Sequence, residues 1–475
     1  MGEGISHTAI KKILKSEKRQ RLFWIFVVLI ATGFSFYHLS RLCLFLNNWP
    51  VSTLTTKQYR RKQPFPAITV CNLNHLRRSV VAHKSIYAII GGLKNASTKR
   101  PILGSKVVGK MLGRLGLQDV LIQMSTSSKA LYSHHLDHML MSCSFNNKPC
   151  TTRNFTKFYD YQHGNCYTFK TRDYVRKIGP DQGLQLELNV QLEEYIGKFS
   201  QTVGFKVVIH EENSVPFLSE NGIIITPGTH SLIALEKSVT SRVNTETCID
   251  TQSGKDNGQE THGATYSIQA CSRDCFQTNL LQQCGCYDPW YSPNASLFED
   301  LITKNLEIRK CNHTNEGCID RITALFEDNQ ICNADVCPPP CIESTFKYQI
   351  SYGVWPIEEQ LIPIHARFHS KLRSVGSYLP KIHYRYTTRM KEQIRNNFAK
   401  LNVFYNTLSS QYIESFPSYT WVNFLAEVGG QASLWMGFSI WTIVETLELI
   451  YHRYTRQQQE RDKYKLPQNT NEFLV

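Results

Sequence analysis

Acidic side chains stand in an apolar stretch near the end of the chain. The stretch runs from Trp421 to Ile450, with Glu427 near its beginning and Glu445 and Glu448 near its end. Ionisable residues in or beside an apolar span are costly, so they usually face water or a partner. Glu427 and Glu445 are 18 residues apart, so an unbroken helix would carry both on one face, with Glu448 following at i+3. Simple solvation at the two ends of the span is the alternative explanation.

Three glycines, Gly429, Gly430 and Gly437, lie in the same stretch. In a membrane, glycine permits close approach of helices and local unwinding. Unwound backbone is tolerated at membrane depth only where it lines a cavity or is buried in protein. A break at Gly437-Phe438-Ser439 would therefore offer carbonyl groups and a hydroxyl to a partly dehydrated cation. Ordinary packing of small residues is the alternative, which composition alone favours.

Fifteen cysteines indicate an oxidising compartment. Cys43 lies at the edge of the first apolar segment, and fourteen others lie between the two apolar segments, so seven disulfides could form without a remaining thiol. Four glycosylation sequons occupy the same interval, at Asn95, Asn154, Asn294 and Asn312. Zinc binding by Cys271-x3-Cys275 and Cys284-Gly-Cys286 is the alternative, which an extracellular location disfavours. We therefore expect an extracellular middle region and no metal site.

The elements that position these residues follow from charge and hydropathy. Between Arg21 and Arg41 the chain runs for 19 residues without a formal charge, just enough for a helix to cross a membrane; a cleaved signal peptide is the alternative, but no cleavage site follows. Both tails are basic, which predicts that both are cytoplasmic. The predicted organisation is a cytoplasmic tail (1–21), a transmembrane helix (22–45), an extracellular disulfide-rich domain (46–418), a pore-lining transmembrane helix (419–450) and a second tail (451–475).

The predicted fold class is a membrane protein in which two transmembrane helices flank a large disulfide-rich α+β extracellular domain. The segments 67–71, 184–192 and 203–210 are typical of strands, and 321–326 and 389–400 of helices. The formal net charge of +14 is explained mostly by topology, and no nucleic-acid-binding signature accompanies it. Nucleophile-elbow, zincin and phosphate-loop motifs do not occur, so we expect no enzyme and no cofactor.

The motifs, taken in order, resemble the degenerin/epithelial sodium channel superfamily, which includes acid-sensing and peptide-gated channels. The resemblance covers nearly the whole chain. Five sets of residues carry it: Phe65-Pro-Ala-Ile-Thr-Val-Cys71-Asn-Leu-Asn74; Cys143-x-Phe145 and Cys150 with Gly164-Asn-Cys166-Tyr-Thr-Phe169; Tyr266-Ser267, Cys271-x3-Cys275 and Cys284-Gly-Cys286; Cys337-Pro-Pro-Pro-Cys341-x-Glu343; and Leu401-Asn-Val403 leading to Gly429-Gly430-Gln431 and Gly437-Phe438-Ser439.

The resemblance implies a trimer whose second span lines a pore that prefers sodium to potassium. Gly437, Phe438 and Ser439 then form the selectivity filter, which reverses the preference for simple packing. Glu445 and Glu448 become an inner vestibule that attracts cations. Ala426 falls at a position of gain-of-function substitutions, and with Glu427 and Gly430 it belongs to the pore and outer gate.

The resemblance also implies a disulfide pairing and a cytoplasmic gating motif. The implied pairs are Cys71–Cys166, Cys143–Cys150, Cys248–Cys341, Cys271–Cys337, Cys275–Cys332, Cys284–Cys318 and Cys286–Cys311. The family's histidine-glycine element appears here as His7-Thr8, so the permissive backbone of glycine is missing. The tryptophan that acid-sensing members carry before the cysteine matching Cys248 is absent.

Two kinds of stimulus are considered for such a channel: protons, and a peptide or another small extracellular ligand. Proton gating needs groups that titrate near neutral pH. The run His134-His135-x2-His138 could sense protons, although a hydrated surface cluster is the explanation that the sequence favours. Carboxylate pairs are few, which favours a peptide or another small ligand, with proton gating as the alternative. The expected partners are related subunits in a homo- or heterotrimer, the ligand and the lipid bilayer of the plasma membrane. A purinergic-type channel and a non-conducting receptor subunit are the remaining alternatives.

Overall fold

The computed structural model describes ten separate stretches of the chain and divides it into two compact units. The described residues are 17–48, 51–81, 126–196, 200–242, 248–250, 265–288, 309–311, 315–374, 388–436 and 440–463. The first unit combines Met1–Thr53 with Ser415–Val475, and the second comprises Leu54–Glu414.

Three helices account for most of the described part of the first unit. They are α1 (Lys18–Asn47), α10 (Trp421–Met436) and α11 (Ile440–Lys463). Over the described residues, α1 is the one helix that combines the length and the hydropathy needed to cross a membrane, with 30 residues and a mean hydropathy of 1.9 over a window of 18 residues. Its apolar side chains are largely exposed within the single chain, as expected of a surface that meets lipid or other helices.

A seven-stranded sheet is the largest element of the second unit. Its strands are β1 (Val51–Tyr59), β4 (Leu140–Phe145), β5 (Lys148–Pro149), β9 (Leu184–Asn189), β12 (Thr229–Arg242), β15 (Ile342–Val354) and β16 (Phe398–Pro417). The order is β15-β12-β16-β9-β4-β5, and β1 also pairs with β16. Gly183 enters β9 with φ +93°, and a Cβ there would stand 2.3 Å from the carbonyl oxygen of Val403, so this close turn requires glycine.

A five-stranded sheet packs over the first. It consists of β3 (Ala67–Asn72), β6 (Phe155–Asp160), β7 (Gly164–Phe169), β10 (Phe205–His210) and β11 (Ile223–Ile225), in the order β11-β10-β3-β7-β6. One apolar cluster holds side chains from both sheets, such as Ile68, Val207, Leu186 and Leu401. The core of the unit therefore lies between the sheets, and β3, covered on both faces, is buried at every position.

Smaller elements complete the described part of this unit. The two-stranded sheets pair β2 (Gln63–Pro64) with β8 (Tyr174–Val175), and β13 (Cys286–Tyr287) with β14 (Arg309–Lys310). The helices are α2 (Arg78–Val81), α3 (Thr126–Tyr132), α4 (Leu136–Met139), α5 (Leu218–Asn221), α6 (Ile268–Cys284), α7 (Glu316–Glu327), α8 (Glu358–Ser374) and α9 (Thr388–Arg395). Short 3-10 turns cover Thr152–Asn154 and Leu192–Glu194.

Most of the predicted strands and helices agree with the structure, and one predicted helix does not. β3 and β10 cover most of the segments 67–71 and 203–210, and α7 contains 321–326. The helix expected over 389–400 is wrong at its end, because α9 stops at Arg395 and the chain enters β16 at Phe398. The residues from 398 to 403 pair with β9, and this long-range ladder overrides the local helical pattern.

Seven disulfides join the fourteen cysteines that lie between the apolar segments. The pairs are Cys71–Cys166, Cys143–Cys150, Cys248–Cys341, Cys271–Cys337, Cys275–Cys332, Cys284–Cys318 and Cys286–Cys311. They are the same pairs that the family resemblance implies. Cys43 remains a free, exposed thiol on α1.

Candidate functional site

A tyrosine just before α10 holds the carboxylate of Glu427. Tyr419 is 6% exposed, and its hydroxyl donates a hydrogen bond of 2.8 Å to Glu427 Oε2. The ring of Tyr419 packs edge-on against Phe45 of α1, with 5.0 Å between the ring centroids. Glu427 itself is exposed in the single chain. The carboxylate therefore has a fixed orientation on one side while the other side stays open to water.

Trp435 fixes which face of α10 meets α1. Its ring stacks on Phe34 at a centroid distance of 5.1 Å and an interplanar angle of 10°, and it also stacks with His38 at 6.1 Å. The indole Nε1 donates a hydrogen bond of 2.9 Å to Gln431 Oε1 one turn earlier. Because the indole donor is satisfied within the helix, the tryptophan can lie in an apolar contact without an unpaired N–H.

The opposite face of α10 consists of small, exposed residues. Ala426, Gly430 and Ser433 recur at i, i+4 and i+7, which places them on one face, and all three are exposed. A Cβ added at Gly429 or Gly430 would meet no atom within 4 Å in the described residues. Packing within the chain therefore does not require these glycines. Ser433 was missed by the sequence analysis, although its spacing from Ala426 and Gly430 was a usable signal.

Several predicted site residues lie outside the described residues. These are the filter residues Gly437, Phe438 and Ser439, the cytoplasmic pair His7 and Thr8, and the sequons at Asn95, Asn294 and Asn312. Glu445 lies within α11, but its side chain is also outside the described set. Glu448 is exposed on α11. The common face of Glu427 and Glu445 thus remains a prediction.

His134, in the second unit, is buried in a network of hydrogen bonds. It is 1% exposed. Its Nδ1 lies 2.7 Å from Gln191 Oε1, and Asn74 Nδ2 donates to its Nε2 at 2.9 Å. These partners fit the neutral ring with its proton on Nδ1, and burial lowers the pKa of His134 to about 4. The interpretation of this cluster as a hydrated surface is therefore wrong for His134, because a local pattern cannot reveal partners about sixty residues away.

Other histidines of this unit are shifted in the same direction. Burial lowers the pKa of His75 to about 4, and its Nε2 lies 2.7 Å from the hydroxyl of Tyr159. Burial also lowers the pKa of His210 to about 4. His135 and His138 are half-buried, and burial together with the charge of Arg77 lowers the pKa of both. All five therefore remain uncharged at neutral pH.

A disulfide ladder stiffens the helix pair α6 and α7. Cys284–Cys318 joins the two helices, and Phe276 packs on Phe326 with 5.3 Å between the ring centroids. Cys271–Cys337 and Cys275–Cys332 tie α6 to the segment after α7. Next to Cys341, Arg242 of β12 donates to the carbonyl oxygen of Pro340 at 2.7 Å. It also forms an ion pair of 3.0 Å with Glu343 of β15. The ladder therefore ends on two strands of the large sheet.

Comparison with known proteins identifies what this arrangement is similar to. The family model described as amiloride-sensitive sodium channel matches residues 2–449. The epithelial sodium channel subunit alpha of Cavia porcellus is 27% identical over 343 residues, covering 70% of this chain and 46% of that protein. The subunit beta-2 of Xenopus laevis is 27% identical over 71% of this chain and 53% of its own length.

A nematode protein shows the same degree of similarity. The degenerin-like protein unc-105 of Caenorhabditis elegans is 28% identical over 69% of this chain and 36% of that protein. The chain thus spans about half the length, or less, of the curated relatives that it matches.

Proposed function

The chain belongs to the amiloride-sensitive sodium channel family, and from this membership we propose that it is one subunit of a trimeric, sodium-selective channel that opens when an extracellular peptide binds. Membership of a family of channels confirms the expectation that the chain is not an enzyme. The channel needs no cofactor in this proposal, since sodium is the permeant ion. The relatives are named as subunits alpha and beta-2, which supports assembly from related chains, as either a homotrimer or a heterotrimer.

The proposed topology places both termini in the cytoplasm and the second unit outside the cell. Residues 22–45 and 419–450 are the proposed spans of the plasma membrane, and 46–418 the extracellular domain. The seven disulfides support an oxidising environment for that domain. Asn154 is exposed, as a glycosylated asparagine must be.

The observation that carries the proposed pore is the small, exposed face of α10 beside Glu427. In the proposed trimer, Ala426, Gly430 and Ser433 face the axis, where small side chains leave room for water and ions. Glu427 attracts cations at the outer end, Glu445 and Glu448 do so at the inner end, and Gly437, Phe438 and Ser439 form the filter. The stacking of Phe34 on Trp435 occupies the bulky face of α10 with α1, which supports assigning the small face to the axis.

The proposal of a peptide ligand is supported by the state of the histidines. A proton-gated channel needs groups that change charge near neutral pH. Burial instead lowers the pKa of His75, His134 and His210 to about 4. These side chains would remain neutral through the mild acidification that such a channel detects.

Whole-cell recording with sodium and potassium exchanged tests the pore. We expect larger inward current in sodium, block by amiloride, and altered selectivity in the Ser439→Cys variant. Equal permeability of the two ions, together with unchanged selectivity in that variant, would remove the proposed filter. Absence of current under every stimulus would favour a non-conducting receptor subunit.

Perfusion of candidate neuropeptides, followed by acid, tests the stimulus. We expect at least one peptide to evoke current at constant neutral pH. Current evoked by acid alone would replace the peptide proposal with proton gating.

A further inference from the structure

A cleft in the second unit lies between the large sheet and α8. Its volume is about 370 Å³, within the range of small-molecule sites in proteins. Glu187 of β9 and Lys400 of β16 form its sheet side, and Arg367 of α8 lies across from them. No motif of the sequence analysis includes any of these three residues.

The charged side of the cleft carries one more positive than negative group. Glu187 and Lys400 stand directly opposite each other in the antiparallel ladder of β9 and β16. Arg367 Nη1 lies 3.4 Å from Glu187 Oε2, and the arginine side chain is 58% exposed while the glutamate side chain is 18% exposed. Lys400 Nζ lies 6.0 Å above the ring of Trp355, and this lysine makes no ion pair within the described part of the chain. An anion would therefore meet two cations, one of them unpaired.

The other side of the cleft is apolar and rigidly held. Trp355 is 8% exposed and Ile364 is 3% exposed, and both belong to the apolar cluster that packs α8 and α9 onto the start of β16. The backbone N–H of Trp355 donates to the carbonyl oxygen of Gly228 at 2.9 Å, which holds the main chain that carries the ring. Pro363 of α8 extends the apolar wall. A ligand body resting here would lose its water to a preformed surface.

We propose that this cleft binds a small carboxylate ligand with an aromatic or aliphatic body. Its carboxylate lies between Arg367 and Lys400, and its body rests on Trp355 and Ile364. The planar guanidinium of Arg367 matches a carboxylate with two parallel hydrogen bonds. Since Arg367 is largely exposed, it can turn from Glu187 to the ligand without disturbing the core. Binding engages β16, the strand that continues to α10, and it does not depend on which stimulus opens the channel.

Titration of a fluorinated probe followed by ¹⁹F NMR tests the proposal on the full chain in lipid nanodiscs. The probe is 3-(4-fluorophenyl)propionate, its neutral isostere is the corresponding amide, and the signal from empty nanodiscs is subtracted. We expect saturable binding of the acid and binding of the amide that is weaker by about tenfold, the usual effect of losing a hydrogen bond to a charged group. A parallel titration uses N-acetyl-glycyl-4-fluorophenylalanine, which mimics the C-terminal end of a peptide. Comparing its affinity with that of the free acid shows which of the two carboxylate sources the cleft prefers.

Substitutions that are expected to weaken or to strengthen binding of the acid make the test specific to this cleft. Arg367→Gln and Lys400→Gln should each weaken binding of the acid by about tenfold. Glu187→Gln should tighten it by about threefold, because the change frees Arg367 and removes a repelling charge. Lys391→Gln is the matched control. It breaks the ion pair between Lys391 of α9 and Glu358 of α8, which lies outside the cleft.

Three results would overturn the proposal. Equal affinity for acid and amide would mean that the cationic side chains do not recognise a carboxylate. Unchanged binding in both Arg367→Gln and Lys400→Gln, or weaker binding in Glu187→Gln, would place the probe elsewhere. Because the measurement is of binding, a silent channel with intact binding would refute the proposed conduction and leave the cleft assignment standing.

Discussion

At the scale of single residues, the hydrogen bond between Tyr419 and Glu427 shows how an acidic side chain can be held at the beginning of α10, the helix proposed as the second membrane span. The donor comes from the residues just before the helix, so the carboxylate is oriented without a basic partner. A neutral donor leaves the negative charge of Glu427 available to cations. The proposed attraction of cations and a defined side-chain orientation would thus be combined at one position.

The first prediction concerns this hydrogen bond. Tyr419→Phe keeps the ring that packs on Phe45 and removes the hydroxyl that Glu427 accepts from. We expect this variant and Glu427→Gln to shift the half-activating ligand concentration in the same direction, each by about three- to tenfold. The double variant should shift it no further than the larger single effect, because one interaction is lost in every case.

The control is Tyr412→Phe, which removes a hydroxyl bonded to Arg60 on the large sheet. Dose–response curves from whole-cell recordings provide the measurement. Additive effects of the two single variants would show that Tyr419 and Glu427 act independently.

A second prediction concerns His134 and acid. Burial in the folded protein lowers the pKa of His134 to about 4, whereas the ordinary pKa of a histidine side chain is 6.5. The unfolded state therefore binds a proton first as the pH falls, so the stabilisation is complete above pH 6.5 and is lost towards pH 4. His134→Gln should flatten the loss of unfolding free energy in this window by about 1.4 kcal/mol per pH unit.

Denaturant unfolding of purified protein at a series of pH values between 4 and 7 measures that slope. The comparison is between slopes, so a general loss of stability in the variant does not disturb it. An unchanged slope would mean that His134 titrates alike in the folded and unfolded states.

Sequence reasoning reached some of these residues and missed others for a physical reason. Glu427 stands out locally, because a charge in an apolar stretch needs no further information to be noticed. The burial of His134 depends on Asn74 and Gln191, which the fold brings from distant strands and turns. The stacking of Phe34 on Trp435 depends likewise on two helices at opposite ends of the chain.

At the scale of elements, the ladder between α6 and α7 substitutes covalent bonds for a large core. Among the described residues, the apolar cluster between these helices has three buried members, Phe276, Leu280 and Ile322. Such a small cluster gives limited stabilisation, so the rungs Cys271–Cys337, Cys275–Cys332 and Cys284–Cys318 must supply the rest. The helix pair can then act as one stiff lever that ends near Arg242 and Glu343.

The third prediction tests one rung. Replacing Cys284 and Cys318 together by alanine opens a loop with a sequence separation of 34 residues, which should cost about 3–4 kcal/mol of unfolding free energy. We also expect a reduced maximal response to ligand, because a looser lever transmits less strain.

Replacing Cys143 and Cys150 is the matched control, since that bond closes a separation of 7 residues at the end of β4. It should cost only about 2 kcal/mol. Thermal unfolding of purified protein and peak current at saturating ligand are the two measurements. An equal loss in both double variants would contradict the loop-length argument.

The elements show where local patterns suffice and where they fail. Alternating and β-branched residues predicted β3 and β10 because these strands are short and their burial follows from their own residues. The segment 389–400 has helical residues throughout, yet its last three residues belong to β16. Pairing with β9 decides their conformation, and a partner strand more than two hundred residues away leaves no trace in the local sequence.

At the scale of the whole molecule, the small face of α10 is exposed in the single chain but would line the central axis in the proposed trimer. Ala426, Gly430 and Ser433 are exposed among the described residues of the single chain. In a trimer they would surround the axis, and the apolar side chains on α1 would meet lipid. The trimeric state itself could be predicted only through the family resemblance, since no residue pattern counts subunits.

The fourth prediction tests the topology through glycosylation. Asn154→Asp removes the acceptor nitrogen of the sequon but keeps the oxygen that accepts the N–H of Thr151 at 3.0 Å. If the second unit is extracellular, the variant should lose one glycan and migrate faster in gels, while its unfolding temperature stays unchanged.

Thr156→Ser preserves the sequon and should preserve the glycan, which makes it the control. Digestion with an N-glycosidase should remove the difference in migration between Asn154→Asp and the parent chain. Identical migration before digestion would argue against an extracellular location of this loop.

The nesting of five disulfides also sets an order of events during synthesis. Cys286–Cys311 lies inside Cys284–Cys318, which lies inside the three wider pairs, and Cys248–Cys341 encloses them all. As the polypeptide emerges from the ribosome, the innermost pair becomes available first and the outermost last. Cys248 can meet its partner Cys341 only after more than ninety further residues have been added. The Cys248–Cys341 loop, the widest of the five, is therefore the last of them that can close.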